Sequence, residues 1–266
     1  MDINLQFKGL WAVVLGGSSG FGFAAVQKLA SHGMNIALLY REMAGAEKAL
    51  QIKLTDIAGR HNVNILPFNI NALEAAGRQS FLEKFKLVAA SGSVKLLLHS
   101  IARGNLKPLN TNDENQQLSA EDIQLTSYAM ANSLLDWTRL LIANQLFNAD
   151  GRIVGLTSEG AHKYWDSYAA IAIAKASLES LARYMAVEFS PIGLKTNIIQ
   201  AGVTATPALK MIPGSDKLIE TGIERNPMGR MTTPADVANV IYLLSTNEAF
   251  WINGSLIHVD GGEHCK

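Results

Sequence analysis

"WAVVLGGSSGFGFAAVQKLA", Trp11 to Ala30, decides the fold. Its opening run, Trp11–Gly17, is apolar and rich in Val and Leu, so it predicts a buried strand. "FAAVQKLASHG" follows as an amphipathic helix closed by Gly33. Between them Gly16, Gly20 and Gly22 fit G-x3-G-x-G. Glycines there let backbone amides approach a pyrophosphate, and the helix N-terminus adds partial positive charge. A glycine-rich turn occurs in any strand-to-helix connection; its place at the first such turn of an alternating chain gives it weight.

The alternation continues outward. "NIALLY", "VNILPFNI", "VKLLLHSIA", "RIVGLTS", "KTNIIQAG" and "SLIHVDGG" predict six more strands. Helices are expected between them, including about 123–146 and about 164–189, while 104–122 and 203–231 read as irregular. Seven strands alternating with helices predict an α/β fold, a Rossmann-type doubly wound parallel sheet with helices on both faces. No stretch rich in Pro, Gly or Ser divides the chain, so a single domain over 1–266 is expected.

Composition narrows the function classes. The 266 residues are 48% hydrophobic and 17% charged, enough for a sizeable core and too apolar for disorder. Lys plus Arg and Asp plus Glu both total 23, and no basic run tracks a phosphate backbone, so no nucleic-acid partner is expected. No apolar run reaches the roughly 18 residues of a membrane span. Asp2 stands where a signal peptide carries positive charge, and the single cysteine, Cys265, excludes an internal disulfide. The expectation is a soluble cytoplasmic protein.

The end of the second strand selects between dinucleotides. An acidic side chain there binds the ribose hydroxyls and repels a 2′-phosphate. Here the strand ends Tyr40-Arg41, and Arg41 suits a phosphate clamp, favouring NADPH with NADH as the other candidate. Glu42 next door weighs against this, and a solvated surface arginine is the alternative.

"SYAAIAIAK", Ser167 to Lys175, sets a tyrosine and a lysine seven apart in an apolar helix, about 10 Å of rise on nearly one face. A phenol is a poor acid or base at neutral pH, and a nearby ammonium lowers its pKa. A lysine on that face also reaches a nicotinamide ribose. A core tyrosine with a snorkelling lysine is the packing alternative.

The glycine turn, this Tyr168/Lys175 helix and the closing "VDGG" together resemble the short-chain dehydrogenase/reductase superfamily over essentially the whole chain. Most members place tyrosine and lysine four apart; Y-x6-K is the divergent pattern of enoyl-[acyl-carrier-protein] reductases. "HSIA" (His99–Ala102), "LTSEGAHKYWDSY" and "AGVTATPALK" resemble that subgroup too. "LARYMAVEFSP" and "NPMGRMTTPADVANVIYLLS" look more like its NADPH-dependent third type.

The resemblance implies a site. Tyr168, Lys175 and Ser158 are the catalytic candidates. Gly16, Ser18, Ser19, Gly20, Phe21, Gly22, Arg41, Asn69, Ile70, Ser100, Ile101, Ala102, Lys175, Gly202, Val203 and Thr206 are cofactor candidates, with Thr206 on the carboxamide. No metal is implied. Ser158 stands where the commonest enoyl reductases carry a second tyrosine, and it also suits the carbonyl-holding serine of ketoreductases. Tyr164 is a candidate substitute phenol or a packing residue. A helix asparagine for proton relay is not clearly placed; Asn132 and Tyr128 are the nearest residues.

An enoyl reductase delivers hydride to Cβ, and charge develops on a carbonyl oxygen two atoms further on. Moving the tyrosine one turn, about 5 Å, matches that displacement. The expected activity is NADPH-dependent reduction of trans-2-enoyl thioesters, on acyl carrier protein, in fatty-acid or related synthesis. A 3-oxoacyl or other carbonyl reductase using Ser158, Tyr168 and Lys175 is the alternative, and a non-catalytic nucleotide-binding regulator the third reading. Residues 204–227, with Leu209 and Met211, read as a substrate lid or as a helix packed on the domain. The resemblance implies a homotetramer.

Overall fold

Strands with consecutive apolar residues must be covered on both faces, and such runs form the middle of the sheet. In the computed structural model, which describes residues 6–266, the strands are β1 (Trp11–Leu15), β2 (Asn35–Tyr40), β3 (Ile65–Asn69), β4 (Val94–His99), β5 (Phe147–Ser158), β6 (Lys195–Ala201) and β7 (Leu256–Val259). They form one parallel sheet in the order β3-β2-β1-β4-β5-β6-β7. The seven strands, the doubly wound order and the helices on both faces are those expected from the sequence. Asp2, at the position where a signal peptide carries positive charge, lies outside the described residues. Among the described residues no helix is long and apolar enough to cross a membrane.

Alternate strand residues serve different layers. Ala12, Val14, Ile36, Leu38, Leu96 and Leu98 pack beneath α1 (Gly20–Ala30), α2 (Ala44–His61) and α9 (Pro234–Ser245). Val13, Leu15, Ala37, Leu39 and Leu97 pack beneath α3 (Ala75–Phe85), α5 (Ser133–Ala143) and α6 (Ala169–Glu188).

Three expected elements differ. The helix expected over about 123–146 is α4 (Ala120–Ser127) and α5 joined by a π-helical turn, Tyr128–Asn132. The helix expected from about 164 starts only at Ala169, because Ser167 holds a left-handed backbone (φ 57°) that no helix continues through. The stretch expected to be irregular, 203–231, contains α7 (Pro207–Lys210) and α8 (Ser215–Arg225). Its periodic apolar residues Leu218, Ile219 and Ile223 account for α8.

A charge cluster closes the end of the sheet away from the glycine turn. The Asp150 carboxylate accepts from Lys95 Nζ (2.7 Å), Lys195 Nζ (2.6 Å) and the Arg152 guanidinium. Arg152 is fully buried and also donates to Leu244 O (2.9 Å) and Thr246 O (3.2 Å), tying β5 to the end of α9.

Candidate active site

The crevice lies at the C-terminal ends of the strands, where the order reverses between β1 and β4. Gly16 leaves β1 at φ +83°, and a Cβ there would stand 2.6 Å from Ser100 O, so only glycine lets the β1 turn pass the end of β4. Ser19 caps α1 without a side-chain hydrogen bond, leaving the first amides of that helix to a ligand. This cradle fits a dinucleotide pyrophosphate. Ser18, Gly20, Phe21, Ser100 and Ile101 around it are half-buried, Gly22 is buried, and Ser19 and Ala102 are exposed.

The loop after β6 reaches this turn. The Thr206 methyl group stands 3.5 Å from where a Gly20 Cβ would be, and the Thr206 hydroxyl caps α7 by accepting from Leu209 N (3.2 Å). Val203 N donates to the buried Glu263 carboxylate (3.1 Å), and Gly202 packs against Thr232 and Glu263.

At the end of β2 no acidic side chain projects. Tyr40 is buried, its hydroxyl shared with Gln51 (2.9 Å) and Glu47 (3.4 Å). Arg41 is exposed and has no ion-pair or hydrogen-bond partner among the described residues. Glu42 is held by Asn69: Glu42 N donates to Asn69 Oδ1 (3.0 Å), and Asn69 Nδ2 to Glu42 O (2.9 Å). Asn69 thus fixes the β2–α2 loop, and Ile70 N donates to Tyr40 O (3.0 Å) beside it.

Tyr168 stands at the N-cap of α6, just outside it. The left-handed Ser167 turns it out of the helix line, and its ring lies over Gly160, where a Cβ would come within 2.5 Å of the ring. Tyr168 Oη meets Ser158 Oγ at 3.4 Å, and Ser158 Oγ accepts from Gly160 N (3.2 Å). Burial pushes the Tyr168 pKa up, only partly countered by the Ser158 hydrogen bond. Tyr168 is therefore a neutral phenol, a hydrogen-bond donor.

Lys175 is buried two turns into α6, and its ammonium donates to Leu156 O on β5 (2.8 Å). Burial lowers its pKa to about 8, with Glu179 pulling it back up. The expected lowering of the Tyr168 pKa by this ammonium is not found: burial outweighs the one opposing influence, the Ser158 hydrogen bond.

Tyr164 stands 86% exposed with its hydroxyl on Asp166, and Met211 is 74% exposed, while Leu209 is buried. Asn132 is exposed, and the Tyr128 hydroxyl is taken by Leu73 O (3.1 Å), Asp136 (2.7 Å) and Arg78 (3.0 Å).

Sequence reasoning missed several partners. Thr157 Oγ1 donates to the buried Glu179 (2.6 Å), which also meets His162 Nε2 (3.0 Å). Glu179 lies four residues after Lys175, a spacing that marks a helical ion pair. Arg225 of α8 clamps Glu159 (2.7 and 3.0 Å), one residue past Ser158, and sequence carried no sign of that contact.

The sequence profile of the family described as Enoyl-(Acyl carrier protein) reductase matches residues 16–264. The chain belongs to this family, within the short-chain dehydrogenase/reductase superfamily. It is an NAD(P)-dependent oxidoreductase. Among its relatives is the enoyl-[acyl-carrier-protein] reductase [NADH] FabI of Aquifex aeolicus, 33% identical over 65% of this chain and 63% of the relative. The solved structure of the enoyl-[acyl-carrier-protein] reductase (NADH) from Aquifex aeolicus VF5 superposes with a TM-score of 0.80 at 26% identity, covering 98% of both chains. The 3-oxoacyl-[acyl-carrier-protein] reductase FabG of Escherichia coli is 25% identical over 97% of this chain and 98% of that protein.

Proposed function

We propose that this reductase saturates the C=C bond of trans-2-enoyl thioesters, carried on acyl carrier protein, with NADPH, in fatty-acid or related synthesis. The observation that carries the reading is Tyr168 at the N-cap of α6, seven residues before Lys175, offering a protonated hydroxyl beside Ser158.

A bound nicotinamide dinucleotide supplies the hydride taken up at Cβ. The glycine turn and the amides of α1 hold its pyrophosphate, Lys175 its nicotinamide ribose and Thr206 its carboxamide. Tyr168 donates a hydrogen bond to the thioester oxygen as negative charge develops there, and Ser158 orients the phenol. A phenol kept neutral by burial suits donation at all working pH. The Cα proton comes from solvent. Leu209 and Met211 contribute apolar surface for the acyl chain.

The hydroxyl pair Ser158–Tyr168 also favours a second reading, carbonyl reduction of 3-oxoacyl thioesters, and the Escherichia coli relative is named for that activity. Rates of NADPH oxidation with crotonyl and acetoacetyl thioesters test the choice. At least tenfold preference for crotonyl is expected; the reverse preference selects carbonyl reduction, and binding without turnover of either selects a regulator.

Arg41, without a partner among the described residues, supports NADPH, although Glu42 stands beside it and the Aquifex relative is named for NADH. Losing a charge-assisted phosphate contact costs roughly 10- to 100-fold. Arg41→Ala should therefore raise KM for NADPH by about that factor and leave KM for NADH within about twofold. Equal effects on both cofactors would remove the phosphate clamp.

Residues 204–227 are proposed as a lid. Leu209 tucks inward, and Met211 and Ile223 face outward from α7 and α8. NADPH should slow tryptic cleavage at the exposed Lys210 and Lys217; identical cleavage rates with and without it would leave α8 a fixed surface helix.

The proposal includes a cytoplasmic homotetramer. Among the described residues β7 ends the sheet without a further strand, and Leu243, Phe250, Trp251 and Leu256 expose apolar surface on and beside it and α9.

A further inference from the structure

The π-helical turn before α5 sends one polar side chain inward, Ser133, which is fully buried. The turn carries Ser133 N–H back to Tyr128 O, and the Ser133 hydroxyl donates to Ala129 O at 3.0 Å. A hydroxyl has one hydrogen, so with that hydrogen on Ala129 O the Ser133 Oγ is an acceptor toward His99 Nε2, 2.9 Å away. That arrangement makes Nε2 the protonated ring nitrogen; a hydroxyl turned to Nε2 instead would leave the proton on Nδ1. In that arrangement, with Nε2 protonated, His99 Nδ1 is an acceptor, buried and without a hydrogen-bond partner among the described residues. Unpartnered buried acceptors are costly and rare, so a nearby donor is the natural partner for this one.

The geometry names that group. His99 ends β4 opposite Gly155, and the next residue, Leu156, is the one whose carbonyl receives Lys175 Nζ. That contact uses one of three ammonium hydrogens. Burial and the Lys175 charge together lower the His99 pKa to about 3, so the imidazole stays neutral at any working pH. The other charged group acting on Lys175 is Glu179 of the same helix, itself shared with Thr157 and His162.

We propose that His99 is a positioning residue for Lys175: Ser133 locks the imidazole as its Nε2–H tautomer, and the bare Nδ1 accepts from the Lys175 ammonium, directly or through one water molecule. The lysine is thereby held charged and aimed at the ribose. The aim at the ribose rests on the function proposed above; the tautomer and the His99–Lys175 contact do not.

Nitrogen-15 NMR of the free, histidine-labelled enzyme tests the tautomer without any substrate. A protonated Nε2 and an unprotonated Nδ1 on His99, unchanged down to about pH 5, are expected. A protonated Nδ1 would overturn the proposal. Two variants test the contact. Asparagine at 99 places an amide oxygen near the position of Nδ1, and glutamine places its amide near Nε2, so only the first keeps the acceptor. His99→Gln should move the alkaline limb of the pH profile for kcat/KM down by about one unit and weaken NADPH binding several-fold, and His99→Asn should bring both back toward wild type. Circular dichroism and thermal melts confirm that each variant is folded. Equal losses in the two folded variants would reduce His99 to packing. Should wild type turn over neither thioester, NMR and NADPH titration still decide the tautomer and the contact.

Discussion

Tyr168→Phe is expected to lower kcat on a crotonyl thioester by roughly 10²- to 10³-fold, the cost of removing one preorganised donor from a developing oxyanion. The ring of Tyr168 packs over Gly160, and the extended backbone of Ser158 leads into that turn, so phenylalanine keeps the shape of the site. Among the described residues the only hydrogen bond of the hydroxyl is to Ser158 Oγ at 3.4 Å, long enough that losing it should barely change stability. Affinity for NADPH should stay within about twofold, because Lys175 is held by Leu156 O and not by the phenol. A loss confined to kcat marks an interaction made in the transition state; a rise in KM alone would place Tyr168 in ground-state binding.

Asp150→Asn is expected to destabilise the fold by about 3–5 kcal/mol, the cost of stranding buried charges without their partner. Lys95, Arg152 and Lys195 all converge on this one carboxylate, and Arg152 has no route to solvent. Burial alone would raise the Asp150 pKa, but hydrogen bonds from Arg152, Lys195 and Lys95 outweigh it and hold the carboxyl well below the usual range. Its folded pKa thus lies below the unfolded value near 3.9. The stabilisation is complete above that value and is lost as pH falls through it toward the folded pKa. Urea midpoints should therefore drop between about pH 5 and pH 3 in wild type and far less in Asp150→Asn. Parallel pH profiles for the two proteins would show that the cluster carries no such weight.

The centre of the sheet was legible because its strands carry consecutive apolar residues, "WAVVL" and the "IALLY" of β2 among them, a pattern that two-sided burial explains. The glycine turn was legible because a left-handed Gly16 pressed on Ser100 O admits no other residue. The start of α6 was hidden, since serine gives no sign of the left-handed conformation that Ser167 adopts. The π-helical turn was hidden too: "YAMAN" holds neither proline nor glycine, and its register is set by packing around Ser133 and His99. The lysine's partner was beyond reach for a simpler reason. Leu156 O is a backbone atom, and a sequence does not say which carbonyl faces a helix. Burial of the phenol, which reverses the expected direction of its pKa, likewise depends on how Gly160 and the loop close over it.

The interval between Tyr168 and Lys175 is thus not an added helical turn. It is a lysine on the helix and a tyrosine at its cap, set by Ser167 and Gly160. The measurement that tests this account most directly is product analysis after wild-type enzyme meets an equimolar mixture of crotonyl and acetoacetyl thioesters with limiting NADPH in D2O. The expected product is a butyryl thioester with one solvent deuterium at Cα and none at Cβ, with 3-hydroxybutyryl product a minor fraction. A product that is chiefly 3-hydroxybutyryl thioester, with crotonyl recovered unchanged, would contradict it.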